Sequence, residues 1–263
     1  MPIAASHRAR IAQQDGGLGV TDGATIVEIR ANLDRVRGQV ERACRKAGRD
    51  PASVLLIAVS KTVEAERIRA AVAAGVVALG ENRVQEARDK VAALGRPVPW
   101  HLIGSLQTNK AKDAVQLFDW IHSVDRLELA RELDKRAHAA SRTVRGLLQV
   151  NLGDEPQKGG AAPGEVKQLL DDMRGLGNLA IRGLMAIPPQ VPDAEAARPY
   201  FRRLRELREA TGLEHLSMGM SADYEVAIEE GATMVRVGTA IFGPRQGAAS
   251  SPQGPDGPRE KRA

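Results

Sequence analysis

Short apolar runs alternate with amphipathic stretches along most of this chain, and that alternation narrows the fold more than any other feature. The run at 54–59 (VLLIAV) is aliphatic or β-branched throughout. Such a run fits a strand buried on both faces, as in a parallel sheet. Similar candidate strands follow at 76–79, 100–103, 120–122, 145–151, 180–187, 213–217 and 233–237, eight in all. Between them lie helical patterns at 65–74, 83–93, 109–117, 126–140, 164–175, 193–211 and 222–230. An additional helix is expected first, over 24–47, where Ile26, Ile29, Leu33, Val36, Val40 and Ala43 recur at three- and four-residue spacing and Gly48 ends the pattern. Asp125 with Glu128 three residues on has the spacing of a capping box for the helix over 126–140.

Strands that alternate with helices imply right-handed crossovers and a parallel sheet. Eight units point to closure, a single (β/α)₈ TIM barrel of the α/β class with an extra N-terminal helix. An open doubly wound sheet is the rival. No G-x-G-x-x-G follows the first strand, which weakens a dinucleotide-binding reading. The length of 263 residues matches one barrel, which typically needs about 250. With aromatics at only 3%, Leu, Val, Ile and Ala must fill the core. The expected division is a tail at 1–23, the barrel at 24–245 and a tail at 246–263, both tails disordered. The second is rich in Gly, Pro and Ser and cannot bury a core.

Composition also excludes function classes. The one cysteine, Cys44, rules out an intramolecular disulfide and fits a reducing cytoplasm. No apolar run approaches the ~20 residues of a membrane span, and the N-terminus lacks the apolar stretch of a signal peptide. A cytoplasmic protein with no membrane partner is expected. The net charge of +5 includes two positive charges from the C-terminal tail region. It forms no concentrated basic stripe with stacking aromatics, so nucleic acid is not an expected partner. The five histidines show no metal-ligand spacing.

In a barrel, active groups gather at the C-terminal ends of the strands. That rule singles out Lys61 after strand one, Glu81 and Asn82 after strand two, Gly219 to Ser221 after strand seven, and Arg236, Gly238 and Thr239 at strand eight. Lys61 follows the six apolar residues 54–59 and Ser60. An amine at the edge of low-dielectric space is easily freed as a nucleophile for a carbonyl. A lysine reaching out to solvent from a strand end is the plain alternative. The turns Gly219-Met220-Ser221 and Gly238-Thr239-Ala240 place small residues, backbone N–H groups and a hydroxyl where a helix begins, an arrangement that attracts phosphate. Two ordinary capped turns would look the same. A reactive lysine across from a phosphate cup points either to pyridoxal 5′-phosphate (PLP) or to a Schiff-base aldolase acting on a phosphorylated sugar.

The segments LIAVSKT, GENRVQEA, WHLIGSLQTNK, RGLMAI and SMGMSADYEVAIEEGATMVRVGTAIFG resemble, in order, the pyridoxal phosphate homeostasis family, over about residues 25–245. The fold of that family is that of the alanine racemase N-terminal domain. The resemblance implies Lys61 as the PLP lysine, holding the cofactor as a Schiff base. It implies Ser221, Gly238 and Thr239 around the phosphate, Arg236 facing the pyridine nitrogen and Asn82 near the ring. Ser217 and Met218, which begin the same motif, are expected to line the pocket. Residues 151–159 resemble a family loop, which Gly160 after Gly159 is expected to loosen.

A permanently charged guanidinium beside the pyridine nitrogen disfavours ring protonation, and an unprotonated ring is a poor electron sink. The leading expectation is therefore a PLP-binding protein of vitamin B6 homeostasis, monomeric and without catalytic turnover. PLP-dependent apo-enzymes are the partner class this reading admits. The alternative is a PLP-dependent amino-acid racemase of low activity. Against it stand the lack of room for the second domain of alanine racemases and a count of only two tyrosines, Tyr200 and Tyr224, both in helical patterns. A binding module working through basic tails, with PLP irrelevant, is a third reading.

Overall fold

The computed structural model describes residues 23–153, 155 and 159–244. The expected tails lie outside these residues, except for Gly23, which opens the first helix. Eight parallel strands close in chain order into a barrel. They are β1 (Leu55–Val59), β2 (Leu79–Glu81), β3 (Trp100–Leu102), β4 (Trp120–Val124), β5 (Val144–Gln149), β6 (Leu179–Met185), β7 (His215–Ser217) and β8 (Met234–Val237). Closure is made by β1 against β8, with Ala58 opposite Val237. The open doubly wound alternative is thereby excluded.

Helix α1 (Gly23–Lys46) precedes the barrel, and its spaced apolar residues Ile29, Leu33, Val36 and Val40 are buried as the periodicity requires. The crossovers carry α2 (Ala65–Ala73), α3 (Val84–Leu94), α4 (Ala111–Leu117), α5 (Leu127–Ala139), α6 (Val166–Met173), α7 (Arg198–Thr211) and α8 (Tyr224–Glu229), and α9 (Thr239–Phe242) follows β8.

Three local expectations change. The second strand lies at Leu79–Glu81 rather than 76–79, because pairing with both neighbours sets in only where Leu79 meets Ala58 and Trp100. Val77, ahead of it, is 48% exposed. The stretch 193–211 divides into a 3₁₀ turn at Glu195–Ala197 and α7, whose first turn holds Pro199, a residue with no N–H to satisfy there. The capping box at Asp125 and Glu128 does not form. Arg126 is the capping position and makes no side-chain cap, and the Asp125 carboxylate accepts instead from its guanidinium at 2.6 Å.

The core has two layers. Ile57, Ala78, Trp120, Leu147, Met185 and Met234 pack together inside the barrel. A much larger cluster, including Ala58, Leu216, Val235 and Val237, fills the space between barrel and helices. Successive strand residues alternate between these layers. That period places Lys61, two beyond Val59 and four beyond Ile57, above the barrel interior, and it turns Arg236, two beyond Met234, into it.

Candidate functional site

β1 runs straight into Lys61 and Thr62, and β2 into Asn82 and Arg83. With Glu86 of α3 these residues line one cavity of ≈ 220 Å³ at the carboxyl ends of the strands. Lys61 and Asn82 thus share a pocket. Gly104 in the β3 loop approaches the Asn82 backbone closely, and a Cβ there would come within 2.3 Å of the Asn82 carbonyl oxygen.

Thr62 takes a positive φ of 61°, unusual for a branched residue, and its N–H donates to Glu86 Oε1 at 2.5 Å. Behind it, Lys90 Nζ donates to the Ser60 carbonyl at 2.6 Å, to Glu81 Oε1 at 2.7 Å and to Glu86 Oε1 at 2.6 Å. Ser60 Oγ donates to the same Glu81 oxygen at 2.7 Å. Glu81 is fully buried, so it does not face water, and burial pushes its pKa up further than Lys90 and Ser60 bring it down. Burial also opposes ionisation of Glu86, but its bonds from Lys90 and the Thr62 amide together outweigh that and hold its pKa below the usual value.

Arg236 is buried inside the barrel near the end of β8. Its guanidinium donates to Ser217 Oγ at 2.6 Å and to the Ala186 carbonyl at 3.0 Å. Burial lowers its pKa to about 10, which leaves it charged at neutral pH. Ser217 Oγ lies 2.9 Å from His122 Nδ1, and His122 Nε2 lies 3.0 Å from His101 Nδ1. A nitrogen–nitrogen contact of that length holds one proton, so the two rings cannot both be protonated. Burial first, then the charge of Arg145, lowers the His101 pKa to about 3. Burial, His101 and Arg236 push His122 well below its ordinary value as well. These histidines form a neutral hydrogen-bonded chain rather than a metal site, and no group of metal-ligating side chains occurs among the described residues.

At the ends of β7 and β8, Ser221 and Thr239 are exposed and Gly238 is half-buried. None of the three lines the Lys61 cavity. They are its neighbours, since β8 pairs with β1 and a Cβ at Gly238 would lie 3.2 Å from the Val59 carbonyl oxygen. Among the described residues, none accepts from the N–H groups of Ser221, Ala222, Thr239 or Ala240. The first turn depends on Gly219, at φ +90°, where a Cβ would meet the Ala227 Cβ at 2.6 Å. Met218 is fully buried and belongs to the larger cluster between barrel and helices, so its side chain offers no surface to a ligand. Ser217, also fully buried, meets Arg236 rather than the cavity. In the 151–159 loop, residues 154 and 156–158 lie outside the described residues.

Sequence reasoning missed Lys90 and weighed the histidines only for metal-ligand spacing. Lys90 had a visible signal, its four-residue spacing from Glu86 on one helix face. The histidine chain had none, because its members come from β3, β4 and β7.

The model of the alanine racemase N-terminal domain matches residues 31–246. A pyridoxal phosphate homeostasis protein of Aquifex aeolicus is 47% identical over 221 residues, covering 81% of this chain and 97% of that protein. One from Pseudomonas aeruginosa is 46% identical over 232 residues, covering 87% and 100%. The structure of PipY of Synechococcus elongatus PCC7942 with PLP bound superposes with a TM-score of 0.73 at 42% identity, covering 82% of this chain and all of that one. Matched over most of its length by relatives of this identity, the chain belongs to the pyridoxal phosphate homeostasis protein family, built on the barrel of the alanine racemase N-terminal domain.

Proposed function

We propose that residues 24–245 form a PLP-binding barrel that holds the cofactor on Lys61 and serves intracellular PLP homeostasis. PLP supplies an aldehyde that a lysine amine takes up as a Schiff base, together with a phosphate and a pyridine ring. The residues present fit such a group. Lys61 lies in a cavity at the strand ends beside Asn82. The four unpaired N–H groups at Ser221, Ala222, Thr239 and Ala240, with two hydroxyls, suit a phosphate. They carry the reading, because such donors near a strand-end lysine match both ends of this one cofactor.

Ser221, Gly238 and Thr239 hold the phosphate in this reading, Asn82 borders the ring and Arg236 faces the pyridine nitrogen. Met218 contributes by packing behind the cup. Arg236, charged and held by Ser217 and Ala186, would disfavour protonation of a pyridine nitrogen placed beside it. The protein therefore acts as a carrier without amino-acid turnover, a cytoplasmic monomer that exchanges PLP with apo-enzymes. The names of its relatives describe homeostasis rather than a reaction, and no helix among the described residues is long and apolar enough to cross a membrane.

Borohydride reduction of the PLP-loaded protein followed by peptide mass analysis tests this reading. The pyridoxyl group is expected on Lys61 and absent from the Lys61→Ala variant. A label on another lysine, or none, would overturn it.

A further inference from the structure

Lys90 is a second amine close to the cavity, yet its bonding disqualifies it as a nucleophile. All three of its ammonium protons are donated, to Ser60, Glu81 and Glu86. Its acceptors are instead the means by which it acts on Lys61. The Ser60 carbonyl belongs to the peptide group that leads into Lys61, and Thr62 N–H to the one that leaves it. Lys90 holds the first directly. It holds the second through Glu86, which receives the Thr62 N–H. Ser60 N–H also donates to the Gly80 carbonyl at 2.9 Å, which ties the same segment to β2.

This clamp explains why Thr62 keeps a left-handed φ that costs a residue of its type strain. Released from Glu86, Thr62 would relax to a negative φ and rotate the peptide that fixes where Lys61 points. Glu81 completes the clamp from inside. It is fully buried, and its Oε2 has no partner among the described residues, an expensive arrangement for a carboxylate whose other oxygen serves Lys90 and Ser60.

We propose that Lys90, anchored by Glu81 and Glu86, is the positioning residue for Lys61, aiming its amine at the carbonyl carbon of a cofactor already seated by its phosphate. The proposal rests on the assignment of Lys61 above. It predicts that two stages of binding separate. Seating of the phosphate and ring belongs to β7 and β8, and covalent capture depends on α3.

The test compares PLP with pyridoxamine 5′-phosphate, which keeps the ring and phosphate but has no aldehyde. In Lys90→Met, PLP affinity and the rate of covalent capture, followed by absorbance, should fall about ten- to hundredfold, the range expected for a lost charge-assisted hydrogen bond. Affinity for pyridoxamine 5′-phosphate should stay within about twofold. Should Lys90→Met not fold, Glu86→Ala decides. Glu86 is half-buried, its loss should lower capture in the same sense, and Glu86→Gln, which can still accept from Thr62, should restore part of it. Parallel loss of both ligands, or no loss of capture in the variants that fold, would overturn the proposal. A wild-type protein that takes no borohydride label at Lys61 would instead overturn the assignment of Lys61, and this proposal with it.

Discussion

Two buried polar networks, one outside the barrel wall and one inside it, solve opposite problems. Between β1, β2 and α3, the Lys90 ammonium sits between two carboxylates with every proton donated. Inside the barrel, the Arg236 guanidinium sits among neutral partners, a hydroxyl, a carbonyl and, one step further, two uncharged imidazoles. The first network cancels its charge and converts it into stiffness around Lys61. The second leaves its charge uncancelled by any contacting anion. The first holds the chain around Lys61 with compensated charge, whereas the second keeps a cation in low dielectric, offset among the described residues only by the more distant carboxylate of Asp223.

The largest effect should come from opening the first network at its most buried member. Glu81→Ala removes the buried oxygen that accepts from both Lys90 and Ser60 and leaves Lys90 paired with Glu86 alone, and breaking a buried pair typically costs about 3–5 kcal/mol. Urea denaturation of the apo-protein should show a loss of this order, at the lower end because Glu86 remains. A loss below about 1 kcal/mol, the size of an ordinary hydrogen bond, would mean that the ammonium finds water or another partner and that the network is not closed.

That network shows where sequence reading succeeds and fails in this protein. The eight strands, the leading helix and the strand-end positions of Lys61, Asn82, Ser221 and Thr239 were legible because each follows from a local pattern of apolar runs and turns. β2 was misplaced because a three-residue strand is set by its partners rather than by its own apolarity. Met218 was assigned to the pocket from its motif, but the motif does not tell which face of the chain turns outward, and the side chain packs behind the strand. Glu81 was singled out only by its place at the end of a strand. Only closure of β2 against β1 and α3 decides that it is buried and bonded to Lys90.

A smaller effect should follow from cutting the second network at its middle. Ser217→Ala removes an acceptor from Arg236 and the partner of His122 Nδ1, while the guanidinium keeps the Ala186 carbonyl. A hydrogen bond to a charged group is worth about 1.5–3 kcal/mol, and the stability loss should fall in that range, short of the Glu81→Ala value. If Ser217→Ala proves the more damaging, the ranking of compensated over uncompensated charge is wrong for this barrel.

The smallest and most discriminating difference is the sign of each network's response to acid. His101 and His122 have pKa values below the 6.5 of an ordinary imidazole, so in mild acid the unfolded chain binds protons that the folded chain refuses. Their contribution is complete above about pH 6.5 and is lost as pH falls from there toward the folded values, about 3 for His101. The slope approaches roughly 1.4 kcal/mol per pH unit for each ring. Glu81 behaves in the opposite way. Burial raises its pKa above 4.5, so the folded chain takes up that proton more readily than the unfolded one, and stability is regained as pH falls through the folded value. Denaturation measured between pH 7.5 and 5 should therefore show stability falling with acid in the wild type. His122→Gln should flatten that fall by removing one refused proton. Glu81→Gln should steepen it by removing the opposing uptake. If both variants shift the slope in the same direction, the two networks titrate as one coupled system through the shared barrel wall, and the contrast between them fails.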